Sequence, residues 1–282
     1  MGARAVRNHF VTRATARRYA KSRPFYHPIA VERIRRFLKR TKPIKRALDV
    51  GCGTGMSTAA LRRIAADVIG LDPSEAMLSQ AARAKGVRYV NCRAEKLPFP
   101  DASFELITVS SAFHWLDRSK FLAEAARVLE PRGWLVIYNG GFGARMRENP
   151  DFREEFRAKY PKRFPTPIRY WKPLSKADTR PHGLDFRHME KFTNEKAFTP
   201  DQLVDYLSTH SNVIAAVEGR GQQMAAVRKW ILALVTPLFR GRRGTFEFSG
   251  TILYVQKMGP SKKSMRRQKR EALKAPSPKA EA

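Results

Sequence analysis

Apolar positions along this chain fall into two alternating kinds of run. Short and nearly continuous runs at 46–51, 67–72, 87–92, 104–110 and 133–139 read as strands buried on both faces, as in Leu106-Ile107-Thr108-Val109 and Trp134-Leu135-Val136-Ile137-Tyr138. Segments 28–40, 56–66, 75–84 and 118–129 between them read as helices. This alternation predicts a twisted parallel sheet with helices on both faces. Farther along, 186–198 reads as a strand, and Thr199-Pro200-Asp201-Gln202 opens a helix with a good N-cap and proline at its first position. An amphipathic helix over 222–238 and a terminal strand over 245–256 follow. The stretch 142–184 interrupts the pattern. Five prolines from Pro161 to Pro181 break regular structure there, among Phe152, Phe156, Tyr160, Phe164, Tyr170 and Trp171. A loop of that length is either functional or a surface excursion that packs its own aromatics.

The first strand runs into Asp49-Val50-Gly51-Cys52-Gly53-Thr54-Gly55. Glycines at alternate positions let the backbone turn sharply and let a ligand approach closely, and the free N–H groups of the next helix favour an anionic or polar group. A dinucleotide fingerprint wants G-x-G-x-x-G, whereas this run is G-x-G-x-G followed by Met56. The second strand ends on Asp72, 17 positions after Gly55. A carboxylate there can accept both hydroxyls of a ribose, and it can equally cap the helix that follows.

Five ordered blocks carry a family resemblance: Asp49 to Gly55; Gly70-Leu71-Asp72-Pro73-Ser74; Ala94-Glu95 with Leu97-Pro98-Phe99, Asp101 and Ser103-Phe104; Ala112-Phe113-His114-Trp115; and Glu124 with Arg127, Leu129, Pro131 and Gly133. Together they resemble the class I S-adenosylmethionine-dependent methyltransferases, in the small-molecule branch of the ubiquinone/menaquinone and trans-aconitate enzymes. The match spans about Tyr19 to Gly141, with a looser extension to Lys257. The resemblance implies a Rossmann-like α/β fold with a seven-stranded, mostly parallel sheet and an antiparallel last strand. It divides 1–258 into a core (45–141), a cap or lid (142–184) and C-terminal strands and helices (185–258). It also implies S-adenosylmethionine as cofactor, held by Arg23, Asp49, Gly51, Cys52, Gly53, Thr54, Gly55, Asp72, Pro73, Ala94, Glu95 and Ser110. Substrate contacts are expected from Tyr19, Tyr26, Trp115, Tyr138 and Arg145. Some of these have plain alternatives. Arg23, in Tyr19-Ala20-Lys21-Ser22-Arg23-Pro24, either meets the methionine carboxylate in bidentate fashion or is a surface arginine of a basic helix. Glu95 either accepts the adenine amino hydrogens or is an exposed glutamate. Asp49 orients either the glycine loop or the donor's ammonium group.

Methyl transfer by direct displacement depends mostly on holding donor and nucleophile aligned. A hydroxyl acceptor also needs a base, for which His114 and His210 are the candidates, and His114 can equally shape the pocket beside Trp115 without moving a proton. A carboxylate acceptor would need no base, and Arg145, Arg147 and Arg169 would attract it instead.

With 282 residues and 43% hydrophobic content the chain can bury one large core. No apolar run is long enough for a membrane span, no metal-ligand cluster is visible, and Cys52 and Cys92 fit a reducing cytosol. A cytoplasmic enzyme is therefore expected, although the acid-free, arginine-bearing first 30 residues also suit an organellar import segment. Charge changes the picture. The net +30 divides into +14 over 1–46, +10 over 47–258 and +6 over 259–282. The last segment should be a disordered basic tail that either attracts nucleic acid or an anionic membrane surface or only solubilises. The rival functions are thus methylation of RNA or another anionic macromolecule, and cofactor binding without catalysis. Ser110-Ser111-Ala112-Phe113-His114-Trp115 stands where base-amine methylases carry an Asn/Asp-Pro-Pro-aromatic turn, and neither cysteine is placed as a cytosine-C5 nucleophile.

Overall fold

The computed structural model describes residues 10–168 and 172–259. Arg4 and Arg7, Arg169, Tyr170 and Trp171, and the basic tail from 260 onward lie outside the described residues. Seven strands form one sheet: β1 (Ile44–Val50), β2 (Ala65–Asp72), β3 (Val87–Asn91), β4 (Phe104–Ser110), β5 (Leu129–Met146), β6 (Leu184–Phe198) and β7 (Gly244–Lys257). Their order is β3-β2-β1-β4-β5-β7-β6, and the first five run parallel. β7 runs antiparallel to both neighbours. The class I architecture expected from the blocks is present.

The described residues hold ten α-helices, of which the first two precede β1 and the rest connect strands: α1 (Arg13–Ser22), α2 (His27–Phe37), α3 (Met56–Leu61), α4 (Glu75–Leu78), α5 (Arg118–Val128), α6 (Phe152–Arg163), α7 (Lys176–Thr179), α8 (Pro200–Leu207), α9 (Ser211–Arg220) and α10 (Met224–Val235). The capping box expected at Thr199 forms: its hydroxyl accepts from Gln202 N, and Gln202 Oε1 accepts from Thr199 N. Three differences from the sequence reading have physical causes. The helix expected over 75–84 stops at Leu78, because Gln80 N and Ala81 N bond to Met77 O and Leu78 O and tighten the turn. β5 continues far beyond 139, because β7 supplies a partner as far as Phe246, opposite Met146. The stretch read as irregular holds α6, whose Phe152, Phe156 and Tyr160 are buried at four-residue spacing while Pro161 enters only near the helix end.

Register sets the site. Val50 pairs with Leu71 and with Val109, and Ser110 pairs with Tyr138, so the carboxyl ends of β1, β2, β4 and the middle of β5 lie level. The order reverses between β1 and β4, which is where an open α/β sheet leaves a crevice. Leu48, Val109, Phe121 and Leu135 belong to the core on one sheet face, while Ile34, Leu61, Leu106 and Tyr254 belong to the core on the other. A third core joins α6, α8, α9 and α10 to the far ends of β5 and β7. No helix among the described residues is long and apolar enough to cross a membrane.

Candidate functional site

The turn after β1 carries three left-handed glycines, Gly51 (φ +67°), Gly53 (φ +54°) and Gly55 (φ +75°). A Cβ on Gly51 would lie 2.5 Å from Ala112 Cβ, so glycine is required there by contact as well as by conformation. Beneath the turn, Asp49 is completely buried and accepts from Ser57 Oγ (2.6 Å), Thr58 Oγ1 (2.7 Å) and Thr108 Oγ1 (2.9 Å). These bonds tie the first turn of α3 and strand β4 to the loop. Burial raises the Asp49 carboxyl to about 6, against the pull of the three hydroxyls. Asp72 faces the loop from the end of β2. Its two oxygens accept from Gly53 N and Ser74 N, both at 2.9 Å, while burial holds its pKa above the ordinary carboxylate value.

These groups open onto a cleft of two adjoining lobes. The outer lobe, about 420 Å³, is lined by Asp72, Pro73, Arg93, Ala94, Glu95 and Trp115 among others. Phe10 and Tyr19 cover it, their rings 5.8 Å apart and edge to face, with Phe10 also 6.2 Å from Trp115. Glu95 Oε1 accepts from Asp117 N at 3.1 Å, and Arg93 Nε stands 3.3 Å from its other oxygen.

The inner lobe, about 60 Å³, lies between the glycine loop and the start of α2, walled by Arg23, Tyr26, His27, Thr54, Ser110 and Tyr206 among others. Tyr19, Gly51, Gly53, Ser110 and Ser111 line both lobes. Tyr26 lies flat over Gly140, where a Cβ would meet its ring at 3.0 Å, and its hydroxyl is 2.9 Å from Ser111 Oγ. Ser111 itself adopts φ +51°, a strained conformation for a residue with a side chain. His27 Nδ1 stands 3.3 Å from both Ser110 Oγ and Tyr138 Oη. Burial first, then the charge of Arg23, lowers its pKa to about 3, so the ring is neutral at physiological pH. Arg23 donates to Thr209 O at 3.0 Å and stacks 4.7 Å over the Tyr19 ring. Two buried polar atoms of the inner wall, Arg23 Nε and Thr54 Oγ1, have no hydrogen-bond partner.

Residues 48–137 match the methyltransferase domain family. The match covers about a third of the chain, and the sheet around it has the class I architecture. The chain is 40% identical over 104 residues to a demethylmenaquinone methyltransferase of Thermus thermophilus, covering 34% of this chain and 47% of that protein. It is 35% identical over 124 residues to an uncharacterized methyltransferase of Mycobacterium tuberculosis, covering 43% and 49%. The chain thus spans half or less of the length of these curated relatives. A solved type II methyltransferase assignment from Anaeromyxobacter dehalogenans shares the fold at a TM-score of 0.58 and 23% identity, over 91% of this chain and 100% of that one.

The methyltransferase domain brings most of the expected site residues together: Gly51, Cys52, Gly53, Thr54, Asp72, Pro73, Ala94, Glu95, Ser110 and Trp115 line the cleft, joined by Tyr19, Arg23 and Tyr26 from the segment that precedes it. Seven others among the described residues are not in either lining. Asp49 lies below the loop and accepts from three protein hydroxyls, which tie the loop to α3 and β4. Gly55 abuts the Tyr89 hydroxyl behind the loop. Tyr138 is 1% exposed and lies behind His27. Arg145 pairs with Glu247 at 2.8 Å across the β5–β7 ribbon, and Arg147 pairs with Glu195. Both arginines are thus neutralised away from the cleft. His114 sits in the turn after β4 with its ring 4.9 Å from Trp115. His210 precedes α9, edge-on to Tyr206 at 4.7 Å, one ring behind the inner wall. Sequence reasoning missed His27, Tyr206 and Phe10. His27 adjoins Tyr26 in the chain, which was the one available signal.

Proposed function

We propose that the chain is an S-adenosylmethionine-dependent methyltransferase that alkylates a small organic acceptor by direct displacement. The observation that carries this reading is the pairing of two features in one cleft: the Asp72 carboxylate beside a left-handed glycine loop, and the unpartnered Arg23 Nε and Thr54 Oγ1 beyond it. The donor set fits an adenosyl amino acid. Asp72 keeps lone pairs free for a ribose diol after accepting two backbone N–H groups. Ala94 and Glu95 flank the outer lobe where an adenine would stack, and Pro73 closes its edge. Arg23 offers an orphaned N–H to a carboxylate, and Thr54 offers a hydroxyl to an ammonium. When bound, the cofactor's sulfonium supplies an electrophilic methyl group.

The chain's own contribution is alignment and exclusion of water. Phe10, Tyr19 and Trp115 roof the outer lobe, while Tyr26, Ser110 and Ser111 present hydroxyls at the junction of the two lobes, where an acceptor's polar atom can be oriented. Positioning of this kind removes on the order of 10 kcal/mol from a bimolecular barrier. His27 is held neutral and can hydrogen-bond in either tautomer, so it suits orientation of Ser110 better than proton abstraction. The demethylmenaquinone methyltransferase relative supports a small organic acceptor.

Calorimetric titration with S-adenosylmethionine tests the cofactor, and a labelled methyl donor screened against phenolic, quinol and carboxylate acceptors tests the reaction. Binding in the wild type and its loss in Gly53→Val and Asp72→Ala is the expected outcome. Gly53 combines a positive φ with a Cβ position 3.2 Å from Met77 Cε, so valine there closes the loop. Equal affinity in all three proteins would refute the assignment.

A further inference from the structure

α1 is the roof of the cleft on one side and a surface of unusual composition on the other. Its inner side supplies Tyr19, its C-cap Arg23 lines the inner lobe, and Thr15 and Ala16 are buried. Thr12 and Thr15 both donate to Glu218 Oε1, at 2.8 and 2.7 Å, which fixes the rotation of the helix. Its outer side is exposed at Arg13, Ala14, Arg17 and Lys21. The three cations recur every fourth residue and so share one face. None has an ion pair among the described residues, and the first acidic residue of the whole chain is Glu32. Even Glu32 is consumed, by Arg35 and Arg36.

Exposed apolar residues flank this helix in the chain. Six large hydrophobic residues stand exposed among the described residues, and three belong to this segment: Val11 at 58%, Phe25 at 52% and Ile29 at 37%. A phosphate backbone would use the cations and gain nothing from exposed valine and isoleucine. An anionic bilayer uses both, since cations meet headgroups while apolar side chains enter the boundary below them.

We propose that the outer face of α1, with Val11, Phe25 and Ile29, docks onto an anionic lipid bilayer. The surface is basic and acid-free, which complements phosphatidylglycerol-type headgroups, and its apolar residues lie at both ends of the helix.

The test is co-sedimentation of the full chain with vesicles of phosphatidylcholine alone and of phosphatidylcholine mixed with phosphatidylglycerol. Binding is expected on the mixed vesicles only. Arg13→Gln, Arg17→Gln and Lys21→Gln together should weaken it on the order of 100-fold, at roughly fivefold per charge. Val11→Ser, Phe25→Ser and Ile29→Ser together leave the charge unchanged and should still weaken it by about tenfold or more. Far-UV circular dichroism checks that each variant is folded, and the single Phe25→Ser change, at a half-exposed position, gives a second reading if the triple variant is not. Absence of vesicle binding would overturn the proposal. So would binding that the apolar substitutions leave untouched, since the charges of the chain ends would then suffice. Displacement from vesicles by a homopolymeric RNA, with RNA affinity unchanged in the serine variant, would overturn it in favour of a nucleic-acid surface.

Discussion

The Asp49 carboxylate, beneath the glycine loop, is held entirely by hydroxyls of the protein. It has no solvent exposure, three hydroxyl donors, and a pKa raised by burial to about 6 from an ordinary 3.8. The folded state therefore takes up a proton at a pH where the unfolded chain has already lost it. Stability from this group is present below about pH 4 and is lost as pH rises through about 6, by on the order of 3 kcal/mol for a shift of two units. Asp49→Asn cannot titrate and should flatten that slope in denaturant titrations of the ligand-free protein between these two pH values. An unchanged slope would assign it to other groups. At this scale the sequence was informative about chemistry and less so about direction. Asp72 and Asp49 both end strands and look alike in the chain. Only the register, which puts Thr108 of β4 opposite Asp49, reveals that one carboxylate points into the cleft and the other into the sheet.

At the scale of elements, the strands and capped helices were legible because their signals are local: continuous apolar runs for β4 and the middle of β5, and a Thr-Pro-Asp-Gln cap for α8. α6 was not, since its buried Phe152, Phe156 and Tyr160 recur at helical spacing inside a stretch whose five prolines argue against a helix. α1 was hidden for another reason. It is polar overall, and its packing depends on Glu218, which is more than 200 residues away in sequence. That dependence is testable. Glu218→Ala removes the acceptor of two hydroxyl bonds and the partner of Arg18, 3.7 Å away, at a cost of roughly 1–3 kcal/mol. Because α1 touches the rest of the molecule chiefly through α4 and α8, the loss should appear as local opening. Hydrogen exchange in α1 should accelerate while β1 and β4 keep their protection, and any bound S-adenosylmethionine should dissociate faster. Uniform acceleration across the sheet would mean that α1 is not a separable roof.

For the whole molecule, the decisive feature is that β5 and β7 run through all three cores. β5 gives Leu135 and Ile137 to one sheet face, Val136 and Tyr138 to the other, and Ala144 and Met146 to the helical layer. β7 does the same with Val255, Ile252 and Tyr254, and Phe246 and Phe248. The two strands pair from Trp134–Gln256 to Met146–Phe246 with one register shift between Phe142 and Arg145, so a single ribbon spans the half that carries the cleft and the helical half. A layer joined only by loops could melt by itself; one built on the same strands cannot be lost without fraying the sheet beside Tyr138. The protein should therefore unfold in a single transition. Phe246, completely buried with its ring 4.9 Å from Phe152 and 5.4 Å from Phe142, is the point at which to strain this coupling. Phe246→Ala should cost about 3–5 kcal/mol, and although the cavity lies in the helical layer, the whole midpoint should fall. Helical ellipticity, near-ultraviolet ellipticity and emission from Trp134 on β5, read in a chain whose other three tryptophans are replaced by phenylalanine, would then shift together. An early loss of helix with the sheet signals unmoved would show that the long ribbon does not couple the two halves.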